Sequence, residues 1–215
     1  MTMSEKLDIE VRNRILEGAM KLFNRYGVRS VTMDDMAREV SMSKKTLYQY
    51  FVNKDGLVTA VAKYHMDMER AEFQEIEHQA ENAIAEIHEL SKCIRRNIQE
   101  VNPSLLFDLQ KFHHQAWDVF LEFKHEFIRG NVEANLNRGI REGYYRPELD
   151  VKVLSRFRVE QVQMIFDQQI FPPEQFEFVE VQMQLLDHFI HGLLTEEGRN
   201  LYHKYIQSEA LNPLK

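Results

Sequence analysis

The sequence predicts an all-α fold, in which three short N-terminal helices precede a larger helical bundle. Apolar residues recur three and four positions apart along most of the 215 residues, which is the spacing of amphipathic helices. After residue 81, no pair of alternating apolar and polar runs flanks a tight turn, so no β-hairpin is predicted. The 8 glycines lie mostly where a helical pattern stops.

The first helix is predicted over residues 8–25. Ile15, Ala19 and Phe23 recur on one face and should pack against the helices that follow. Gly27 suits the position just past a helix C-terminus, because glycine adopts positive φ without steric cost.

Residues 32–54 predict two short helices joined by a tight turn. Thr32 is a suitable N-cap for the first, and Asp35, three positions later, completes a variant of the capping box. Ser43 is a suitable N-cap for the second helix. Leu47 and Phe51, four residues apart, give that helix one apolar face.

The polar face of the second helix consists of lysines, a threonine and two tyrosines: Lys44, Lys45, Thr46, Tyr48 and Tyr50. Backbone N–H groups at a helix N-terminus, together with nearby lysines, suit phosphates, and side chains of the first turn can reach base edges. A DNA-binding helix-turn-helix fits this pattern. An ordinary helical hairpin with a solvated basic end fits it as well.

Residues 32–57 read T-M-D-D-M-A-R-E-V-S-M-S-K-K-T-L-Y-Q-Y-F-V-N-K-D-G-L. This run closely resembles the DNA-binding signature of the TetR family of transcriptional regulators, T-x-x-x-I-A-x-x-x-G-V-S-x-x-x-L-Y-x-Y-F-x-x-K-x-x-L, without a gap. The preceding F-N-R-Y-G at 23–27 supports it. Ser41 departs from the glycine usual at the turn, and serine should adopt that conformation at a modest cost.

The resemblance implies a ligand-responsive regulator, usually a repressor, that binds a palindromic double-stranded DNA operator as a homodimer. Base or near-base contacts are expected from Lys44, Lys45 and Thr46, and phosphate contacts from Thr32, Tyr48, Tyr50 and Lys54. Met33 is assigned to the same DNA-binding set.

A long helix is predicted over residues 54–79, and the domain boundary is placed before it. Residues 1–53 would form the DNA-binding domain, and residues 54–215 the helical effector-binding and dimerisation domain. The resemblance implies that this long helix joins the two parts and that its tilt sets the spacing of two DNA-reading heads.

Six further helices are predicted, over 82–101, 104–112, 115–142, 151–170, 174–194 and 196–207. Pro172 and Pro173 separate the two helices richest in apolar residues. The resemblance implies that this pair, at about 151–170 and 174–194, packs against its copy in a second subunit as a four-helix bundle. From the residues alone, the pair could equally complete the core of a monomer.

Charge divides the chain unevenly, although the whole carries −7. Residues 1–63 hold 11 Lys and Arg against 8 Asp and Glu, a net charge of +3, and residues 64–215 hold 16 against 26, a net charge of −10. Such a division is typical of a nucleic-acid module joined to a module with another role. We expect DNA contact to be confined to the N-terminal part.

Composition excludes several classes of protein. The single cysteine, Cys93, rules out a disulfide framework within one chain and fits a reducing compartment. The polar N-terminus has no secretory signal pattern, and no apolar run approaches the ~18–20 residues that span a bilayer. We therefore expect a soluble, cytoplasmic protein without membrane contact.

Metal and catalytic sites are weaker interpretations. Glu75 with His78, and Glu122 with His125, form E-x-x-H pairs of the kind used by di-iron bundles, but about one such pair is expected by chance in this composition. No nucleophile–base constellation, phosphate-binding glycine loop or dinucleotide fingerprint is present. We expect no enzyme activity, cofactor or metal, and keep a di-iron-like or adaptor bundle without DNA binding as the alternative function.

Aromatic residues concentrate between residues 107 and 127, which is consistent either with a plain hydrophobic core or with an effector pocket. The pocket candidates are Asn97, Phe107, Gln110, His113, Trp117, Phe120, Phe127 and Gln161. Such a pocket would favour an apolar or aromatic small-molecule effector.

Overall fold

The computed structural model describes residues 2–211, without the side chains of residues 4 and 209–211. The ends of the two predicted domains, residue 1 and residues 212–215, lie outside this range. Within it, the helices are α1 (Met3–Tyr26), α2 (Met33–Glu39), α3 (Lys44–Tyr50), α4 (Lys54–Gln79), α5 (Ala83–Gln99), α6 (Leu105–Phe112), α7 (His114–Glu122), α8 (Arg129–Arg141), α9 (Val151–Met164), α10 (Phe178–Leu193) and α11 (Glu196–Leu211). The predicted all-α class is confirmed.

Helix ends differ from the predictions where a local interaction decides them. Helix α1 begins at Met3 rather than near residue 8, because Thr2 and Glu5 form a capping box. Helix α9 ends at Met164 and α10 begins at Phe178, so both are shorter than predicted. Glu177 caps α10 by accepting a hydrogen bond from the Glu180 N–H at 2.8 Å.

The predicted helix over 115–142 is interrupted by a π-helical segment, Phe123–Ile128. A π-helical turn holds one more residue than an α-helical turn, so it changes the direction of the side chains that follow. Lys124 lies in this segment and is buried, with its Nζ donating to Glu160 Oε2 at 3.0 Å and to Gln163 Oε1 at 2.7 Å.

The chain packs as two compact units, and neither is continuous in sequence. The N-terminal unit comprises Met1–Glu69 and Glu100–Phe123, and the C-terminal unit comprises Arg70–Gln99 and Lys124–Lys215. Helices α6 and α7 thus belong to the same unit as α1–α3. The functional boundary predicted between residues 53 and 54 stays a prediction.

The core of the N-terminal unit is built from the apolar faces of its first four helices. The buried residues there include Ile15, Leu16, Phe23, Val28, Met36, Leu47, Phe51, Leu57 and Val58. Helix α6 is held to the segment after α1, because buried Asp108 accepts a hydrogen bond from the Arg29 N–H at 3.3 Å. This packing fixes α2 and α3 on a rigid support.

The core of the C-terminal unit surrounds Tyr145, which is fully buried among residues of α5, α8, α10 and α11. Its hydroxyl donates to Asn135 Oδ1 at 2.9 Å, so its one polar group is satisfied. Gly139 lies directly beneath the ring, where any Cβ would overlap it.

Arg138 joins three segments of the C-terminal unit through its three guanidinium nitrogens. Nε donates to Glu142 Oε1 at 2.8 Å, Nη1 to Glu86 Oε2 at 3.1 Å, and Nη2 to the Ala80 carbonyl at 2.8 Å. The other oxygen of Glu142 accepts from the Ala83 N–H at 2.7 Å, at the first residue of α5. One arginine therefore orders both the end of α8 and the start of α5.

Burial raises the pKa of Glu86 above its ordinary value of 4.5, even though Arg138 opposes the shift. A carboxyl whose pKa is raised by folding stabilises the protein below its ordinary pKa, and this contribution is lost as the pH rises through the folded-state pKa. We therefore expect Glu86→Gln to gain stability relative to wild type as the pH rises from 4.5 through the folded-state pKa of Glu86. Urea denaturation at a series of pH values measures the difference.

Glu89→Gln, at an exposed glutamate of the same helix, is the matched control and should keep the pH profile of the wild type. If the free energy of unfolding changes with pH in the same way for Glu86→Gln and for wild type, the role assigned to Glu86 is contradicted.

Candidate nucleic-acid interface

Helices α2 and α3 form the helix-turn-helix that the sequence predicts, and side chains cap both N-termini. Thr32 accepts from the Asp35 N–H, and Asp35 accepts from the Thr32 N–H at 2.9 Å, which completes the predicted capping box. Ser43 Oγ accepts from the Thr46 N–H at 3.0 Å. The start of α3 is therefore fixed, with its remaining backbone N–H groups directed outward.

The turn between the two helices passes through Ser41, whose φ is +52°. Among the described residues it is the only non-glycine residue with positive φ. The turn is secured on both sides: the Met42 N–H donates to the Ala37 carbonyl at 2.9 Å, and Arg14 Nη2 donates to the Val40 carbonyl at 2.7 Å. The predicted left-handed conformation of Ser41 is confirmed.

Replacing Ser41 with glycine should stabilise the protein by about 0.5–1 kcal/mol. The left-handed conformation costs a residue with a Cβ about 1–2 kcal/mol, and glycine offsets part of that gain by its greater freedom in the unfolded chain. The midpoint of urea denaturation measures the change. Ser30→Gly, at an exposed turn residue with negative φ, is the control and should be destabilising.

The predicted DNA contacts on α3 differ in how far they are already engaged. Lys44 Nζ lies 2.7 Å from Asp34 Oδ1, and the Tyr50 hydroxyl donates to Asp8 Oδ1 at 2.9 Å. Thr46 shares a 2.8 Å hydrogen bond with Ser43. Lys45 and Tyr48 are exposed and make no side-chain hydrogen bond or ion pair within the described part of the chain. These two are the most available for a ligand.

Three further predicted contacts lie at helix starts. Thr32 is exposed but uses its hydroxyl in the cap of α2. Lys54, the first residue of α4, is half-buried, and this burial lowers its pKa; its Nζ lies 3.5 Å from the Arg29 carbonyl. The assignment of Met33 to the DNA contacts does not hold for its side chain, because the residue is only 7% exposed and lies in the core. Only its backbone N–H, at the first position of α2, remains for a DNA phosphate.

The sequence interpretation missed the acidic partners of this surface. Asp34 and Asp8 neutralise one lysine and occupy one tyrosine hydroxyl, so the interface is less basic than its residue types indicate. Asp34 was visible in the sequence at the second position of α2. Asp8 is 42 residues from Tyr50, and only tertiary packing brings the two together.

The pocket candidates divide between the two compact units. Phe107, Gln110, His113, Trp117 and Phe120 belong to the N-terminal unit, and Asn97, Phe127 and Gln161 to the C-terminal unit. Phe107 and Gln110 are exposed, whereas Phe120 is buried and packs against Trp117 with ring centroids 5.2 Å apart. Asn97 donates to Glu72, Phe127 packs on Phe73, and Gln161 is buried beside Arg158. Their assignment to one pocket stays a prediction.

No group of three His, Cys, Asp or Glu side chains among the described residues has the arrangement of a metal site. The two E-x-x-H pairs therefore lack the additional ligands that a di-iron bundle needs. None of the described helices is long and apolar enough to cross a membrane.

Comparison with known proteins places the helix-turn-helix in a family. A family model described as bacterial regulatory proteins of the tetR family matches residues 15–61. The chain is similar to the HTH-type transcriptional regulator YvaF of Bacillus subtilis, with 26% identity over 189 residues, which cover 86% of this chain and 96% of YvaF. It is also similar to the HTH-type transcriptional repressor KstR2 of Mycobacterium tuberculosis, with 26% identity over 149 residues, 68% of this chain and 74% of that protein.

Solved structures share the fold. The structure of KstR2, described as a ketosteroid transcriptional regulator, has a TM-score of 0.59 at 23% identity and covers 86% of this chain and 95% of its own. A transcriptional regulator from Saccharomonospora viridis, solved in complex with choline, has a TM-score of 0.71 at 18% identity, covering 87% and 99% of the two chains. At 23% and 18% sequence identity, these two structural similarities show a shared fold alone.

Proposed function

We propose how this chain, which belongs to the TetR family of bacterial regulatory proteins, acts on DNA. Two copies bind one palindromic operator, and an effector held in the C-terminal unit releases or promotes that binding. As a member of this family, the protein is a ligand-responsive, DNA-binding transcriptional regulator. The observation that carries the proposal is the capped α2–α3 pair with exposed Lys45 and Tyr48 on its outer face.

Regulators of this family bind DNA as dimers, and a two-fold dimer presents two copies of α3 to successive major grooves about one DNA turn apart. An exposed apolar strip on α9, formed by Val153 and Phe157 one turn apart, supports the proposal that α9 and α10 form the dimer contact. Exposed apolar side chains in such a strip are typical of a protein interface.

Within the N-terminal unit, two contacts connect α6 to the segments that carry the DNA-reading helices. Asp108 of α6 holds the Arg29 N–H, and His113, at the junction of α6 and α7, places its Nδ1 2.7 Å from Asp55 Oδ1 in the first turn of α4. A displacement of α6 would therefore act on the segment before α2 and on the start of α4. An effector can shift the protein only if it binds the two arrangements with different affinity.

The ligands of fold neighbours do not settle what this effector is, since one neighbour holds choline and another is described as a ketosteroid regulator. The effector class must therefore be inferred from the side chains of this chain.

A gel-shift titration against the DNA immediately upstream of the protein's own gene tests the operator proposal. We expect a two-fold symmetric footprint and an affinity that falls steeply with salt, because bound lysines release counterions from phosphates. Binding that is insensitive to salt, or that is equal on a scrambled sequence, would contradict it.

A further inference from the structure

One buried cation in the C-terminal unit has no acidic partner. Arg158 of α9 is only 4% exposed, yet no carboxylate among the described residues pairs with it. Two other cations in the described part of this unit are paired, Lys124 with Glu160, and Arg138 with Glu86 and Glu142. Arg158 differs from both.

The surroundings of Arg158 are apolar and neutral. Its guanidinium lies 5.9 Å from the centre of the Phe189 ring on α10. Its one hydrogen bond within the described residues runs from Nη1 to Gln161 Oε1 and is long, at 3.5 Å. Two of its three nitrogens therefore have no acceptor in that part of the chain, although a guanidinium carries five N–H donors.

A second polar group of this unit, on α10, is buried and unsatisfied. Helices α9 and α10 pack antiparallel, because Arg158 faces Phe189 while Ile165 lies in one cluster with Val181. Gln182, next to Val181 on α10, is buried, and its Oε1 has no hydrogen-bond partner within the described residues. Gln182 lies seven residues before Phe189 and therefore on the same face of α10, about two turns from the ring that Arg158 faces.

Keeping an unpaired cation in such a place is costly. Transferring a charge from water into a protein interior is strongly unfavourable unless an opposite charge and hydrogen bonds compensate. Burial lowers the pKa of Arg158 to about 10, so it still carries its charge at neutral pH. The Arg158 nitrogens without an acceptor are not fully buried atoms, so a partner from outside the protein can reach them.

We propose that Arg158 binds the acidic group of the effector, and that the effector is a small organic anion, a carboxylate or phosphate attached to an apolar body. The inference rests on the proposed effector response and names its ligand class. The guanidinium supplies paired donors that match a carboxylate or phosphate, Phe189 contacts the apolar body, and Gln182 accepts from any hydroxyl the ligand carries. The apolar effector expected from the aromatic residues is thereby refined to an amphipathic acid.

Calorimetric titration of the full-length protein with matched pairs of ligands tests this site. The acids are octanoate, 2-naphthoate and octyl phosphate, and their neutral counterparts are octanol and 2-naphthalenemethanol. We expect at least one acid to bind the wild type about tenfold to a hundredfold more tightly than its counterpart, which is the worth of a charge-assisted contact. Arg158→Gln should lose this preference, whereas Arg156→Gln, at an exposed position on the same helix, should keep it.

A second measurement does not depend on the choice of acid. The ligand-free Arg158→Met variant should melt at a higher temperature than wild type, because the unpaired charge is removed and the side-chain volume is largely kept. A lower melting temperature would identify Arg158 as a structural group and overturn the proposal. So would equal binding of acids and neutral counterparts, absence of binding by every acid, or an acid preference that survives in Arg158→Gln.

Operator binding without ligand separates this inference from the proposed function. Arg158→Gln should bind operator DNA as the wild type does, because Arg158 is buried and lies neither on α3 nor in the exposed strip of Val153 and Phe157 on α9. If the wild type binds acids through Arg158 but binds no operator, the proposed function fails while the anion site stands.

Discussion

Replacing Lys45 and Tyr48 together by alanine should weaken operator binding by about 2–6 kcal/mol, which is roughly thirtyfold or more. One lost contact to a base or phosphate costs about 1–3 kcal/mol, and the double variant removes at least one such contact from each of the two heads of the dimer. Both side chains are exposed on α3, so their removal leaves no cavity and should leave the fold intact. Fluorescence anisotropy with labelled operator DNA measures the affinity.

The salt dependence of the same titrations identifies the type of contact. Loss of the Lys45 charge beside the DNA phosphates at each head should reduce the slope of log affinity against log salt by about two for the dimer. Lys63→Ala, at an exposed lysine of α4, is the charge-matched control. An unchanged affinity and slope in the double variant, with circular dichroism like that of the wild type, would exclude α3 as the DNA-reading helix.

Lys44 provides a further comparison on the same surface. Because Lys44 is already paired with Asp34, its replacement by alanine should cost less affinity than that of Lys45. Asp34→Asn should strengthen binding, since it releases Lys44 and removes a negative charge near the phosphates. A larger loss of operator affinity for Lys44→Ala than for Lys45→Ala would show that the ion pair between Lys44 and Asp34 opens in the complex.

Replacing Arg138 by methionine should destabilise the protein by about 3–5 kcal/mol, which is the cost of removing one partner from a buried ion pair. Glu86 would be left buried at 1% exposure without its counter-ion, and Glu142 would lose the contact that holds it over the first turn of α5. The Ala80 carbonyl would lose its donor as well. Urea denaturation followed by circular dichroism measures the loss.

Arg141→Met is the matched control, because Arg141 lies one turn farther along α8 and is exposed. It should change stability by less than about 0.5 kcal/mol. Combining Arg138→Met with Glu86→Leu should recover part of the loss, since no buried charge is then left unpaired. A cost below about 1 kcal/mol for Arg138→Met would show that Glu86 is neutral in the folded protein.

The sequence predicted best what short-range interactions decide. The caps at Thr32 and Ser43 and the strained turn at Ser41 depend on residues within four positions of each other, and all three are confirmed. The π-helical segment was missed, because one additional residue in a turn leaves the apolar spacing of a long helix almost unchanged.

Long-range partners were beyond the sequence. Nothing in the residue pattern distinguishes Arg158, which has no carboxylate partner in the described part of the chain, from Arg138, which has two, because both lie on amphipathic helices. Met33 was assigned to the DNA contacts, but its burial depends on how α2 packs against the rest of the N-terminal unit. Composition and spacing identify which helices exist, whereas burial and pairing depend on contacts between distant parts of the chain.

Each unit is formed from two segments that are separated in the sequence, and this affects when the protein can fold during its synthesis on the ribosome. The N-terminal unit is complete only when Phe123 has been synthesised, which is after the first segment of the C-terminal unit, starting at Arg70, has already been made. Helix α5 also waits for Glu142, 59 residues after Ala83, before its first turn is held. The nascent helices therefore remain without their final partners during much of synthesis, and a stop codon placed near residue 100 should yield a product that chaperones retain and proteases remove.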